Sequence, residues 1–168
     1  IDTAWAELGP AKSLIAESFV KFSREVSIIA VRGQNGDVKT WALAENHHHN
    51  GILSHSIVPA PNSADLQPVA QDYITRLLNH LNYVGVLTLE LFVTEQGLYA
   101  NEMAPRVHNS GHWSIEGAVC SQFENHIRAV AGLPLGSTEV GRPTVMINII
   151  GQHPKTEDVL ALDGAHLH

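Results

Sequence analysis

The chain has 168 residues, 44% of them hydrophobic and 16% charged, against roughly 25% charged in an average soluble protein. That excludes disordered, collagen-like and supercharged chains, and folding at this length buries roughly 70% of the extended surface, enough for one self-sufficient core. Lys plus Arg is 10 and Asp plus Glu is 17, a net charge of −7, so no global attraction to nucleic acid or an anionic membrane is expected. The opening Ile1-Asp2-Thr3-Ala4-Trp5 lacks an initiator Met and a basic stretch leading into an apolar one. It reads as the interior of a longer chain and not as a secretory signal.

Residues 12–32 read as strand-rich, through Leu14-Ile15-Ala16-Glu17, Phe19-Val20-Lys21-Phe22 and Val26 to Val31. Gly33-Gln34-Asn35-Gly36-Asp37 signals a turn, after which Val38 to Glu45 can return as the second arm of a hairpin. A short extended run, Ile52 to Pro59, precedes the clearest helix, Ala64 to Asn82. There Leu66, Val69, Ile74, Leu77, Leu78 and Leu81 recur at helical spacing, with Ser63 or Asp65 available to cap. Val84 to Val93 alternates as a strand, Thr94 to Gly97 turns, and Leu98 to Ala104 returns. A second helix is expected from Ser121, with Ser121 and Glu124 at capping-box spacing and Phe123, Ile127 and Val130 as its apolar stripe. Gly132 and Pro134 stop it, and Val145 to Ile150 reads as a late buried strand. The expected fold is α+β, an antiparallel sheet with helices packed on one face.

The hairpin at 84–104 carries the most chemistry. If Glu95-Gln96-Gly97 is a three-residue loop, Thr94 lies opposite Leu98 and Glu90 opposite Glu102. Two carboxylates facing each other across a ladder repel unless something neutralises them, and Mg²⁺ takes such pairs. Two readings stay open on spacing alone: a shared cation, or a register one residue off that leaves two separate glutamates. Directly after the second strand, one Arg, two His, Asn and Ser fall between Arg106 and His112. That stretch is too polar for a core strand. Its Arg can fork onto a carboxylate or phosphate, and its His and Asn can orient substrates or exchange protons.

Asn101-Glu102-Met103-Ala104-Pro105-Arg106-Val107-His108-Asn109-Ser110-Gly111-His112-Trp113, followed by Ser121-Gln122-Phe123-Glu124, resembles the N5-carboxyaminoimidazole ribonucleotide synthases, ATP-grasp enzymes of purine biosynthesis. Glu25-Val26-Ser27, Gly51-Ile52-Leu53, Tyr83-Val84-Gly85-Val86 and Val145 to Gly151 support the likeness over nearly the whole chain. The resemblance implies the C-terminal half of an ATP-grasp domain over residues 1–142 and the start of a C-terminal β subdomain over 143–168. It implies ATP-dependent formation of carboxyphosphate from bicarbonate, then carboxylation of 5-aminoimidazole ribonucleotide.

By position, the resemblance makes Glu17, Ser18, Phe19 and Val20 a hinge strand that holds adenine. Glu25 takes the ribose hydroxyls, and His48, Asn101 and Glu102 contact the nucleotide. Glu90 and Glu102 hold Mg²⁺, while Arg106, His108 and Asn109 surround bicarbonate and the intermediate. Many ATP-grasp enzymes carry Asn two positions after the second metal Glu, where this chain has Ala104. The family's phosphate-binding lysines and glycine-rich loop would precede Ile1, and its substrate-phosphate motif would follow His168. The isolated chain is therefore expected to be inactive, and the full-length protein to pair as a homodimer.

Other features read blandly. His47-His48-His49 alternates across an extended segment, so the rings cannot converge on one ion, and a solvent-edge strand with one functional His is expected. Trp5, Trp41 and Trp113 are expected to pack in the core or at its rim. Lone Cys120 is expected buried, in a reducing, cytoplasmic setting. Competing classes are another ATP-grasp ligase, of the formate-using transformylase or biotin carboxylase type, and a non-catalytic nucleotide-binding module.

Overall fold

A computed structural model describes Thr3, Ala6, Ile15 and residues 17–168. Arg24-Glu-Val-Ser-Ile-Ile-Ala-Val-Arg32 forms β1, apolar on both faces from Ile28 onward, as a strand covered on both sides must be. The other strands are β2 (Val38–Thr40), β3 (Ala44–His49), β4 (Ile52–Val58), β5 (Gly85–Thr94), β6 (Gly97–Ala104) and β7 (Thr144–Ile147). They form one sheet in the order β6-β5-β1-β3-β4-β7, with β2 on β1, and every pairing is antiparallel.

Helix α1 (Leu66–His80) lies on one face through Ala70, Ile74 and Leu78. It closes a core with Val26, Ile28 and Ala30 of β1 and Leu87, Leu89 and Leu91 of β5. On the other face, a 3₁₀ turn (Asn109–Gly111), α2 (Ser114–Gly117) and α3 (Gln122–Val130) cover Ile29, Val31 and Val86 together with Trp41 and Trp113. A last short helix, α4 (Thr156–Leu160), is exposed. Among the described residues no helix is long and apolar enough to cross a membrane.

The α+β class and the antiparallel sheet are as expected, but the helices are divided between both faces because β1 and β5 are apolar on both. The segment Phe19 to Phe22 is not a strand. β1 and β5 end their ladder at Arg24↔Val93, and the hairpin turns at Thr94, so no described strand extends beyond to pair with it. Phe22 instead stacks on Phe92 at 4.4 Å between ring centroids. The strand expected at Leu14 to Ala16, and Trp5, lie outside the described residues apart from Ile15.

The arm Val38 to Glu45 is split. β2 pairs with β1 at Ala30↔Thr40, and β3 rejoins β1 only at Ser27↔Ala44. β3 is interior, between β1 and β4, although its end beyond Asn46 outruns β1 and reaches solvent. Neither Ser63 nor Asp65 caps α1 with its side chain; the Ser63 hydroxyl turns back to the Ala60 carbonyl. Ser121 does cap α3, accepting from Glu124 N at 3.1 Å.

The stripe expected to bury α3 faces outward, with Ile127 65% and Val130 54% exposed. The buried positions are Gln122, Asn125 and Ala129. Two of them are polar because the helix ties loops down by hydrogen bonds: Asn125 Oδ1 accepts from Gly136 N at 2.7 Å. β7 sits at the sheet edge with Val145 and Ile147 exposed, so the late strand is not buried. Cys120 is buried, its thiol pushed up by burial, and Trp41 Nε1 donates to the Cys120 carbonyl at 3.0 Å.

Candidate active site

Glu90 stands opposite Glu102 in the β5–β6 ladder. Two local departures cancel to place it there. The turn holds only Glu95 and Gln96, with Thr94 paired to Gly97, one residue tighter than the three-residue loop expected. Gly97 takes φ +122°, a conformation that favours glycine. That register alone would set Glu90 against Asn101. A bulge between Leu91↔Ala100 and Glu90↔Glu102 adds one residue to β6, so Asn101 and Glu102 together face Glu90. Both line the same cleft.

That cleft, of about 400 Å³, is bounded by Glu25, His48, Gly51, Leu53, Glu90, Asn101, Glu102, His108 and Asn109. Strand periodicity puts Glu25 and Ser27 of β1, Asn46 and His48 of β3, and Glu90 of β5 on one sheet face. Cross-strand pairs bring them together: Glu25↔Asn46 and Ser27↔Glu90. His48 Nδ1 lies 2.8 Å from Glu25 Oε2. His47 points elsewhere and stacks on His55 at 4.4 Å, so the three consecutive histidines do not converge.

His108 roofs the carboxylates, with Nε2 at 3.5 Å from Glu90 Oε1. Ligand atoms of Glu90, Glu102 and His108 all fall within 4.8 Å of one another. Burial, then the charge of Glu102, pushes the Glu90 carboxyl above its ordinary value. Burial, then the Arg106 guanidinium, holds His108 below its own. Like charges facing each other across a ladder, one of them partly buried at Glu90, are costly, and a hard divalent cation is the partner that relieves them. The donor set, two carboxylates with an Asn amide beside them, suits such an ion.

Arg106 does not line the cleft. Its side chain is exposed and donates to the Val107 carbonyl at 3.0 Å, while its charge still reaches Glu90 and His108. Glu17 to Val20 are not part of this cleft either, and they are not the strand expected. Phe19 is 92% exposed. Phe19 and Val20 help line a second cleft of about 620 Å³ at the hairpin tip, with Lys21 to Ser23, Thr94 to Gln96 and Tyr99.

Ser27, Ser110 and Gln122 were given no role by the sequence. Ser27 Oγ donates to Ser110 Oγ at 2.9 Å, and Ser110 Oγ lies 2.9 Å from His108 Nδ1. Gln122 grips the His108 main chain: its Oε1 accepts from His108 N at 2.9 Å and its Nε2 donates to His108 O at 2.6 Å. A Cβ on Gly111 would come within 2.5 Å of Gln122 Oε1 and Ile29 Cδ1, so a side chain there would push on the Gln122 clamp. The available signal was Ser27, a small polar residue inside the apolar run Val26 to Val31.

Residues 1–123 match the ATP-grasp domain family. The chain is 51% identical over its full length to the N5-carboxyaminoimidazole ribonucleotide synthase of Vibrio parahaemolyticus, of which it spans 46%. It superposes on the crystal structure of N5-carboxyaminoimidazole ribonucleotide synthetase from Thermus thermophilus with a TM-score of 0.89 and 56% identity, covering 90% of this chain and 42% of that one. A structure from Aspergillus clavatus in complex with ADP and 5-aminoimidazole ribonucleotide matches with a TM-score of 0.75 at 33% identity, over 80% of this chain and 37% of that one. The chain thus spans about half the length of the relatives it matches.

Proposed function

The chain belongs to the ATP-grasp family, and from that membership we propose that its cleft is the phosphate end of an active site that carboxylates 5-aminoimidazole ribonucleotide with ATP and bicarbonate. The observation that carries the reading is the pair Glu90 and Glu102, set face to face by the bulge beneath His108 and Asn109. On this reading residues 1–142 are the C-terminal part of an ATP-grasp domain. Residues 143–168 open a small β subdomain that leans on it through the β4–β7 pairing.

Phosphoryl transfer needs alignment and charge neutralisation more than covalent help. Mg²⁺ held by Glu90 and Glu102 would supply that neutralisation at the ATP phosphates. Asn101 adds an amide to the same wall, and Glu25, braced by His48, is placed to take ribose hydroxyls. Phe19 and Val20 border the hairpin-tip cleft, where an adenine would lie. Bicarbonate is a small planar anion, which the Arg106 fork can meet from the exposed side. Once ATP has phosphorylated bicarbonate, the exocyclic amine of the ribonucleotide attacks the carboxyphosphate carbon and phosphate leaves. His108 and Asn109 border the cleft where this intermediate must be kept from water.

The test uses the protein at the length of its relatives. Phosphate release from Mg-ATP should require both bicarbonate and 5-aminoimidazole ribonucleotide, and Glu102→Gln should lower it by about 100-fold or more. Phosphate release that follows formate in place of bicarbonate, or biotin in place of the ribonucleotide, would overturn the assignment.

A further inference from the structure

The hydrogen bonds around His108 settle which of its nitrogens carries the proton. Ser110 N lies 3.3 Å from His108 Nδ1, and a backbone N–H can only donate, so Nδ1 is an acceptor. With Nδ1 bearing a lone pair, the Ser110 hydroxyl 2.9 Å away donates to it. The Ser110 oxygen is then free to accept from the Ser27 hydroxyl, at 2.9 Å. Both serines are fully buried. The imidazole proton therefore sits on Nε2, facing Glu90 Oε1 at 3.5 Å. Ser27 is itself the ladder partner of Glu90, so the relay starts and ends on one cross-strand pair and its geometry is pinned by β1 and β5.

We infer that Ser27 and Ser110 are positioning residues that hold His108 as a neutral imidazole with its proton on Nε2, the nitrogen that faces Glu90, so that the ring offers no lone pair to a cation in the cleft. The consequence is chemical selectivity. Proximity alone would make Glu90, Glu102 and His108 a mixed oxygen and nitrogen site, which suits zinc and other transition ions. With the Nε2 lone pair replaced by a proton, only the carboxylate oxygens remain from that trio, the donor type that magnesium takes. Gln122 adds to the same end by fixing the His108 main chain from both its N–H and its carbonyl. The selectivity argument rests on the proposed cation role of Glu90; the placement of the proton does not.

Long-range proton–nitrogen NMR on the ¹⁵N-labelled chain, without nucleotide, cation or substrate, reads the tautomer directly. The expected His108 spectrum has a protonated Nε2 and an unprotonated Nδ1 shifted by accepting hydrogen bonds. Ser110→Ala should move the Nδ1 signal toward that of a free acceptor and speed water exchange of the Nε2 proton. Ser110→Thr, which keeps the hydroxyl, should restore both. Glu90→Gln should do the reverse, moving the Nε2 proton and leaving Nδ1 in place. If Ser110→Ala does not fold, Ser27→Ala is read the same way, with a smaller shift of the same sign. A wild-type Nδ1–H tautomer, or an Nδ1 signal unmoved by both serine variants, would overturn the inference. Neither result depends on which substrate is carboxylated, so this failure and a failure of the carboxylase reading remain distinct.

Discussion

The two faces of one sheet do opposite jobs. Beneath α1, Val26, Ile28, Ala30, Leu87, Leu89 and Leu91 make an apolar layer with no chemistry. On the opposite face the same antiparallel strands are apolar at one end, at Ile29, Val31 and Val86, and polar at the other, at Glu25, Ser27 and Glu90. The stable face lets the other one carry like charges, buried hydroxyls and a buried imidazole. Rigidity is made on one side and used on the other, across a backbone only one residue thick.

That contrast can be broken most strongly from the α1 side. Ile74 is fully buried, and Ile74→Ala should cost about 2–5 kcal/mol by denaturant unfolding, through lost transfer energy and the cavity left behind. The His108 signals of the folded fraction should stay where they are; if they move, the two faces are not independent. A middle-sized effect is expected at the helix that supports the polar face. Ser121→Ala removes the cap of α3 and should cost about 1 kcal/mol. It should also disturb the neighbouring Gln122 clamp on His108, which Ile74→Ala should not.

The smallest effect is a pH dependence, and it sharpens the comparison because it belongs to the polar face alone. The Glu90 carboxyl is raised by burial first and then by Glu102. Between its ordinary and its raised value the folded chain binds more protons than the unfolded one, so stability falls as pH rises through the raised value. Without divalent cations, Glu90→Gln should flatten that part of the urea-midpoint profile. His108 and His112 are held low, each by burial first. Their unfolded forms take up protons first, so stability is lost as pH falls below about 6.5. Glu90→Gln should leave that acid-side loss standing. A profile that falls equally steeply above the ordinary carboxyl range in variant and wild type would show that Glu90 is not the group responsible.

Much of the site was legible because it is local. The order Glu90, hairpin, Glu102, then Arg106 to His112, is a run of one chain, and strand alternation brought the two carboxylates face to face on paper. The pairing nonetheless came out right through a loop one residue too long and a bulge unforeseen at Asn101. A bulge depends on how a strand sits against its neighbour, and no spacing rule contains it. The apolar stripe of α3 failed for a similar reason: Phe123, Ile127 and Val130 recur at helical spacing, yet Gln122 and Asn125 face inward because loops from elsewhere need their amides.

By itself the sequence determined most of the strands, the two longer helices, the antiparallel α+β class and the two acidic residues of the hairpin, because propensity, alternation and turn chemistry act over a few neighbouring residues. Only the tertiary structure decided that helices cover both faces, that residues 17–22 stay outside the sheet, and that Ser27 reaches across 83 positions to Ser110. Those outcomes depend on which strands run out of partners and which buried polar atoms find one, and both are set by distant parts of the chain meeting in space.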